Sequence, residues 1–272
     1  MRNDRGGWDD YSRELIRVLF VLKEYLPNIV LIGGCVPYIY WKHIYGAAVP
    51  PVYTTDLDVL IPNTIPVHAR PIASLLDDAG FRGRVLELSH IQHFKFESVT
   101  VPGFEVEFRT PEPGGKRVET LVVQSGLRAQ VLPGLRILLA HNMTVGITGQ
   151  VEGRAVDLMV RVPTPGAFVL NKATSYLDTH GEPERAKDIY YVYYVLRYLA
   201  LDKKALAESI RECAEPSEIR LLTSRLRPLF SDEFAPGVRD AAGQLSALEM
   251  TERNLRLLVL SEFEEFFTLL EA

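Results

Sequence analysis

Apolar residues recur every three or four positions over residues 11–26, at Leu15, Val18, Leu19, Leu22 and Leu26. That spacing predicts an amphipathic helix, ended by Pro27 and Asn28. The period then shortens. Residues 29–32 read as a short buried strand, Gly33-Gly34 breaks it, and the apolar and aromatic spacing of 36–45 predicts a helix opening just after the glycines. Gly46, Pro50 and Pro51 mark a loop. Beyond it, residues 56–61 read as a second strand stopped by Pro62, and 68–79 as a helix.

From 81 to 162 the pattern turns to short strands punctuated by Gly and Pro, predicted at 85–88, 93–97, 105–108, 120–123, 144–151 and 154–161, with one helix at 135–141. After Pro163 and Pro165 long helical periods take over, ending in an amphipathic stretch over 245–270. The chain therefore reads as an α+β domain over 1–165 followed by a helical domain over 166–272.

Composition narrows the class. With 272 residues, 47% of them apolar, the chain can fill a core without disulfide staples. Cys35 and Cys213 are far apart and have no partner at zinc-site spacing, so both are expected to be reduced thiols. No apolar run approaches the roughly 20 residues that cross a bilayer. Residues 1–10 lack the apolar core of an export signal, so a cytoplasmic location is the default. A net charge of −5 argues against nucleic-acid binding over the whole surface but leaves room for a local basic cleft. His90 and His93 have no acid or cysteine nearby to complete a metal site and read as surface or packing residues.

Three features carry chemistry. Gly33-Gly34 falls between strand and helix, where a backbone without Cβ can approach an anion. In Asp56-Leu57-Asp58 the two acids, two residues apart on a strand, share one face while Leu57 and Val59 enter the core. Like charges so close call for a cation, and Mg²⁺ or Mn²⁺, which take carboxylate and phosphate oxygens, fit that demand. A third acid comes from Glu105-Val106-Glu107-Phe108; Glu107, nearer the strand's end, is the choice over Glu105.

In this order the motifs resemble the nucleotidyltransferase superfamily of polymerase-β-like fold: an apolar strand, Gly-Gly, a helix, Asp-x-Asp on the next strand and a further acid later. Here they read Leu31-Ile32-Gly33-Gly34, Thr54-Thr55-Asp56-Leu57-Asp58-Val59-Leu60 and Val106-Glu107-Phe108. The resemblance implies a mixed sheet with flanking helices, metal ligation by Asp56, Asp58 and Glu107, and triphosphate binding near Gly33, Gly34 and Thr55. More narrowly, Thr-Asp-x-Asp resembles the AbiEii/MenT-type bacterial group, whose helical lysine and later basic helix ending in Asp are matched by Lys172 and by Arg185-Ala186-Lys187-Asp188. That resemblance implies that Lys172 and Arg185 bind the nucleotide, that Asp188 orients the lysine or helps to activate the acceptor, and that the helical domain completes the nucleotide cleft. Two departures stand out. Position 35 is Cys where many members have Ser, and the third acid is Glu where Asp is commoner.

The activity so implied is Mg²⁺-dependent transfer of a nucleoside monophosphate from an NTP to a hydroxyl, with release of pyrophosphate. The acceptor expected from the resemblance is RNA, foremost a tRNA 3′ end, in a toxin-like setting with a cognate antitoxin as partner. Basic residues Arg109, Lys116, Arg117, Arg128, Lys172, Arg185 and Lys187 would serve such an acceptor if they bordered one cleft. Competing readings are a catalytically inactive nucleotide-binding module and an antibiotic nucleotidyltransferase of the aminoglycoside type, the latter resting on the acidic Glu262, Glu264 and Glu265. The tyrosine-rich run at 190–198 reads as helix packing.

Overall fold

A computed structural model describes residues 4–88, 91–114, 118–178, 184–199, 202–245 and 250–271. His90, Lys116, Arg117 and the side chain of His93 lie outside the described residues. The chain forms two compact units, one from Met1–Ile39 and Tyr53–Pro163, the other from Tyr40–Val52 and Thr164–Ala272. A linear cut at 165 does not capture the segment 40–52, which clusters with the helices that follow in sequence.

The first unit opens with helix α1 (Asp4–Val21), whose buried stripe Tyr11, Leu15, Val18 and Leu19 follows the three-to-four spacing. The helix begins seven residues before the apolar period does, because Trp8 stacks on Tyr38 with ring centroids 4.8 Å apart, a contact remote in sequence. A turn and a 3₁₀ helix (Leu26–Asn28) lead into β1 (Val30–Ile32) and α2 (Cys35–Ile39). The remaining elements are β2 (Asp56–Leu60), α3 (Ile72–Asp78), β3 (Phe81–Leu88), β4 (Ile91–Ser98), β5 (Glu105–Pro111), β6 (Thr120–Gln124), β7 (Leu127–Leu132), α4 (Arg136–Ala140), β8 (Asn142–Val151) and β9 (Arg154–Pro163).

Seven strands form one mixed sheet with the path β1-β2-β5-β4-β3, and β7, itself paired with β6, also joins β5. The pairings β2–β5 and β5–β7 are parallel; the others are antiparallel. β8 and β9 make a separate hairpin. Strand β7 is not among the strands the pattern predicts: its Arg128, Ala129 and Gln130 are poor strand formers, and pairing with β5 and β6 decides its conformation. β5 is central. On one side it pairs with β4 through Glu107 and with β7 from Arg109 onward, so the sheet divides at Phe108.

In the second unit, Tyr40–Tyr45 continues from α2 as a π-helix. The helices that follow are α5 (Pro165–Asp178), α6 (Glu184–Tyr198), α7 (Lys203–Cys213), α8 (Pro216–Leu226), α9 (Pro236–Gly243) and α10 (Glu252–Glu271). The predicted stretch 245–270 is shorter as a helix: α10 starts after Thr251, whose Oγ1 accepts the Asn254 N–H, and 246–249 lie outside the described residues. Phe230 stacks on Phe263 at 3.8 Å between centroids in this unit's core. Tyr190, Tyr193 and Tyr194 are buried as helix packing. The Tyr194 hydroxyl donates to the Val49 carbonyl at 2.7 Å and the Tyr190 hydroxyl accepts from the Val52 N–H at 3.2 Å, which ties 49–52 to α6. The mixed sheet, its flanking helices and the helical C-terminal region are the α+β architecture the pattern predicts. Among the described residues no helix is long and apolar enough to cross a membrane.

Candidate active site

The pleat of β2 sends Leu57 and Val59 into the core and leaves Asp56 and Asp58 on the opposite, partly open face. β5 runs parallel beside it, with Glu105 level with Asp56 and Glu107 level with Asp58. Residues level with each other on neighbouring strands share a face, so the three predicted acids and Glu105 line one side of the sheet.

Two cations divide these acids. Glu105 is paired with Lys95 from β4. Arg109, two residues beyond Glu107 and therefore on the same face, donates from Nε to Asp58 Oδ1 at 3.1 Å and from its terminal nitrogen to Glu107. Sequence reasoning placed Arg109 only among the basic residues that would serve an acceptor, and missed it as the partner of these acids. Its signal was the continued alternation Glu105, Glu107, Arg109. The Asp58, Glu107 and Arg109 side chains are each about four-fifths buried, with 18 to 20% of their surface exposed.

Burial is the largest cause pushing the Glu107 pKa up; Arg109 pulls it down, and Asp58, Asp56 and Glu105 push it up further. A carboxyl whose pKa is higher in the folded chain costs stability only where it ionises. The penalty is absent below the unfolded value of about 4.3 and grows as pH rises through the folded one. In EDTA, Glu107→Gln is therefore expected to melt above the wild type at pH 7, with the gap closing towards about pH 4. Glu105→Gln, which strands Lys95, should melt lower; thermal denaturation followed by circular dichroism across pH reads both signs.

β1 completes this side of the sheet. Ile32 is level with Asp58, and the chain turns at Gly33 with φ +72°. A Cβ at position 33 would stand 2.1 Å from Asp58 Oδ2, so only glycine lets this backbone come so close to the carboxylate. Gly34 follows, and Cys35 opens α2 with its thiol donating back to the Ile32 carbonyl at 2.9 Å. Cys35 thus braces the turn. Asp56 is held through its backbone: Thr54 Oγ1 accepts its N–H at 3.3 Å, and the Tyr11 hydroxyl donates to its carbonyl at 3.4 Å. Thr55 is exposed and donates from Oγ1 to Asp56 Oδ1 at 3.3 Å.

In the helical unit, Lys172 on α5 pairs with Asp188 on α6 at 2.5 Å, and Ser175, one turn along α5, donates to the other Asp188 oxygen at 2.6 Å. Spacing could have exposed Ser175, which is three residues from Lys172. The Lys172 ammonium also lies 5.6 Å from the centre of the Tyr191 ring. Arg185 stacks on Tyr176 at 4.4 Å, and the Tyr176 hydroxyl donates to Asp240 at 2.7 Å. Asp188 is buried, so removing its ammonium leaves a charge with too few partners. Lys172→Met is expected to cost about 2 kcal/mol, below the ~3–5 of a fully buried pair because both side chains keep some exposure. Adding Asp188→Asn should restore most of the loss in a double-mutant cycle of urea denaturations. Elsewhere in this unit Glu262 is paired with Arg197 and Lys203, and Glu265 with Lys203, so these tail acids are already engaged in ion pairs.

Among the described residues no three His, Cys, Asp or Glu side chains stand as a ready metal cluster, and Arg109 bridges Asp58 and Glu107. The donors themselves suit a hard divalent ion. They offer oxygen only, on adjacent strands in register, in surroundings where their mutual repulsion favours a cation.

The strand, the glycine turn, the paired aspartates and the third acid on the neighbouring parallel strand are the motifs on which the sequence resembles nucleotidyltransferases. Residues 14–215 match the profile of a family described as Nucleotidyltransferase, and the chain belongs to that family. It is similar to an antigenic nucleotidyltransferase-like protein from Paracoccidioides brasiliensis, with 16% identity, a TM-score of 0.41, and 82% of this chain and 91% of that one covered. It is also similar to JHP933 from Helicobacter pylori, with 12% identity, a TM-score of 0.42, and 96% and 92% covered. No curated protein matches the sequence significantly.

Proposed function

We propose that the protein is a divalent-cation-dependent enzyme that transfers a nucleoside monophosphate from an NTP to a hydroxyl acceptor. The observation that carries this reading is the register of Asp58 with Glu107 across two parallel strands, with Asp56 on the same face and Gly33 against the Asp58 carboxylate. Asp56, Asp58 and Glu107 would hold Mg²⁺ or Mn²⁺, which when bound lowers the charge on the triphosphate and the pKa of an attacking hydroxyl. The acceptor hydroxyl gives up its proton to a base such as solvent water, its oxygen forms a bond to the α-phosphorus, the bond from the α-phosphorus to the bridging oxygen breaks, and pyrophosphate leaves with that electron pair. Gly33, Gly34 and Thr55 are the candidates for contact with the phosphates. Lys172 and Arg185 are candidates for nucleotide binding, with Asp188 as the group that orients Lys172 or helps to activate the acceptor.

The acceptor proposed is RNA, foremost a tRNA 3′ end, in a cytoplasmic toxin-like setting with an antitoxin partner. This part rests on the resemblance of Thr55-Asp56-Leu57-Asp58, Lys172 and Asp188 to the AbiEii/MenT-type group. Incubating the purified protein with each α-labelled NTP, Mg²⁺ and total RNA tests it. Label is expected on small RNA from one preferred NTP. No transfer to RNA, or transfer unchanged in Asp56→Ala, would remove the proposal.

A further inference from the structure

We infer that Arg109 is an internal counterion of Asp58 and Glu107, and that its guanidinium must leave both carboxylates before a divalent ion can bind them. The inference rests on the proposal that Asp58 and Glu107 are metal ligands, and adds that the protein carries its own competitor for them.

The argument starts from position. Arg109 follows Glu107 by two residues on β5, so the pleat turns both to the face that Asp58 shares from β2. Its planar fork has the geometry to reach two carboxylates at once, and here it does so across two strands. With each of the three side chains about four-fifths buried, water screens the contact weakly. The guanidinium also neutralises only one of the two negative charges it touches, whereas a divalent ion brings two.

Release leaves the backbone in place. The Arg109 backbone is held independently of its side chain: its carbonyl accepts the Ile61 N–H at 2.9 Å, and the residue is in register with Gln130 of β7. The side chain can therefore turn on its aliphatic stem while the ladder stays intact. Lys95 provides the internal contrast. It is a cation of the same sheet face, but it pairs with Glu105, so its removal lowers positive charge nearby without vacating Asp58 or Glu107.

Mn²⁺ binding to the EDTA-stripped full chain, measured by calorimetry and by the paramagnetic signal of free Mn²⁺, tests the inference. Arg109→Gln is expected to bind Mn²⁺ about tenfold more tightly than the wild type, and Arg109→Lys, which keeps a charge but loses the fork, to fall between them. Lys95→Gln is expected to stay within about twofold of the wild type, and Asp58→Asn to lose the binding in either background. Thermal melting in EDTA establishes that each variant is folded, with Arg109→Lys as the second probe if the glutamine variant is not. If Arg109→Gln binds no more tightly than the wild type, or Lys95→Gln tightens as much, the displacement idea is overturned while the metal site stands. If the wild type and every variant fail to bind Mn²⁺, the metal-site reading itself falls, and this inference falls with it.

Discussion

Asp58→Asn is expected to lower kcat/KM for nucleotidyl transfer by about a thousandfold or more while the chain stays folded. A thousandfold corresponds to about 4 kcal/mol of transition-state stabilisation, the scale of loss expected if Asp58 holds the divalent ion as proposed. The substitution keeps volume and shape but replaces an anion with a neutral amide. Little else depends on it: Leu57 and Val59 keep their places in the core, and Arg109 keeps Glu107 as a partner. Stability should fall by only about 1 kcal/mol, the scale of one hydrogen bond to a charged group less its solvation in the unfolded chain. Single-turnover transfer from an α-labelled NTP, with a urea melt on the same preparation, separates the two effects. Near-wild-type turnover in a folded Asp58→Asn protein would remove Asp58 from the chemistry.

Gly33→Ala should produce the second large effect, with turnover reduced about a hundredfold and stability by about 2 kcal/mol. Two costs add. The φ of +72° puts any residue with a Cβ in the left-handed region, at roughly 1–2 kcal/mol. The new methyl would also fall 2.1 Å from Asp58 Oδ2 and 2.9 Å from its Cγ, so the carboxylate has to rotate away from Arg109 and from its alignment with Glu107. A carboxylate displaced by an ångström is enough for a loss of this size. Gly46→Ala supplies the control, since its φ is also positive, at +61°, and nothing lies within 4 Å of a Cβ there. It should show the backbone cost alone and leave transfer intact. Equal turnover in the two alanine variants would mean that the approach of Gly33 to Asp58 has no functional weight.

Much of this was legible in the chain alone. Period-two alternation put Asp56 and Asp58 on one face and Glu105 and Glu107 on another strand, because the pleat of a single strand is a local property. Three-to-four spacing predicted the helical C-terminal region for the same reason. Glycines between strand and helix marked the turn. What alternation does not carry is which strands become neighbours and in what register. Folding set β5 parallel to β2, brought Glu107 level with Asp58, and paired Glu105 with Lys95. It also drew Arg109 onto two acids, one of them 51 residues away. Strand β7 shows the same limit, since its weak propensity is overridden by partners on both sides. So does the segment 40–52, tied to α6 by hydroxyls of Tyr190 and Tyr194 from far along the chain. The sequence by itself determined the periods, the turns and the chemical types of the site. Only the tertiary structure decided pairing, register and counterions, because those energies arise between residues that no local pattern connects.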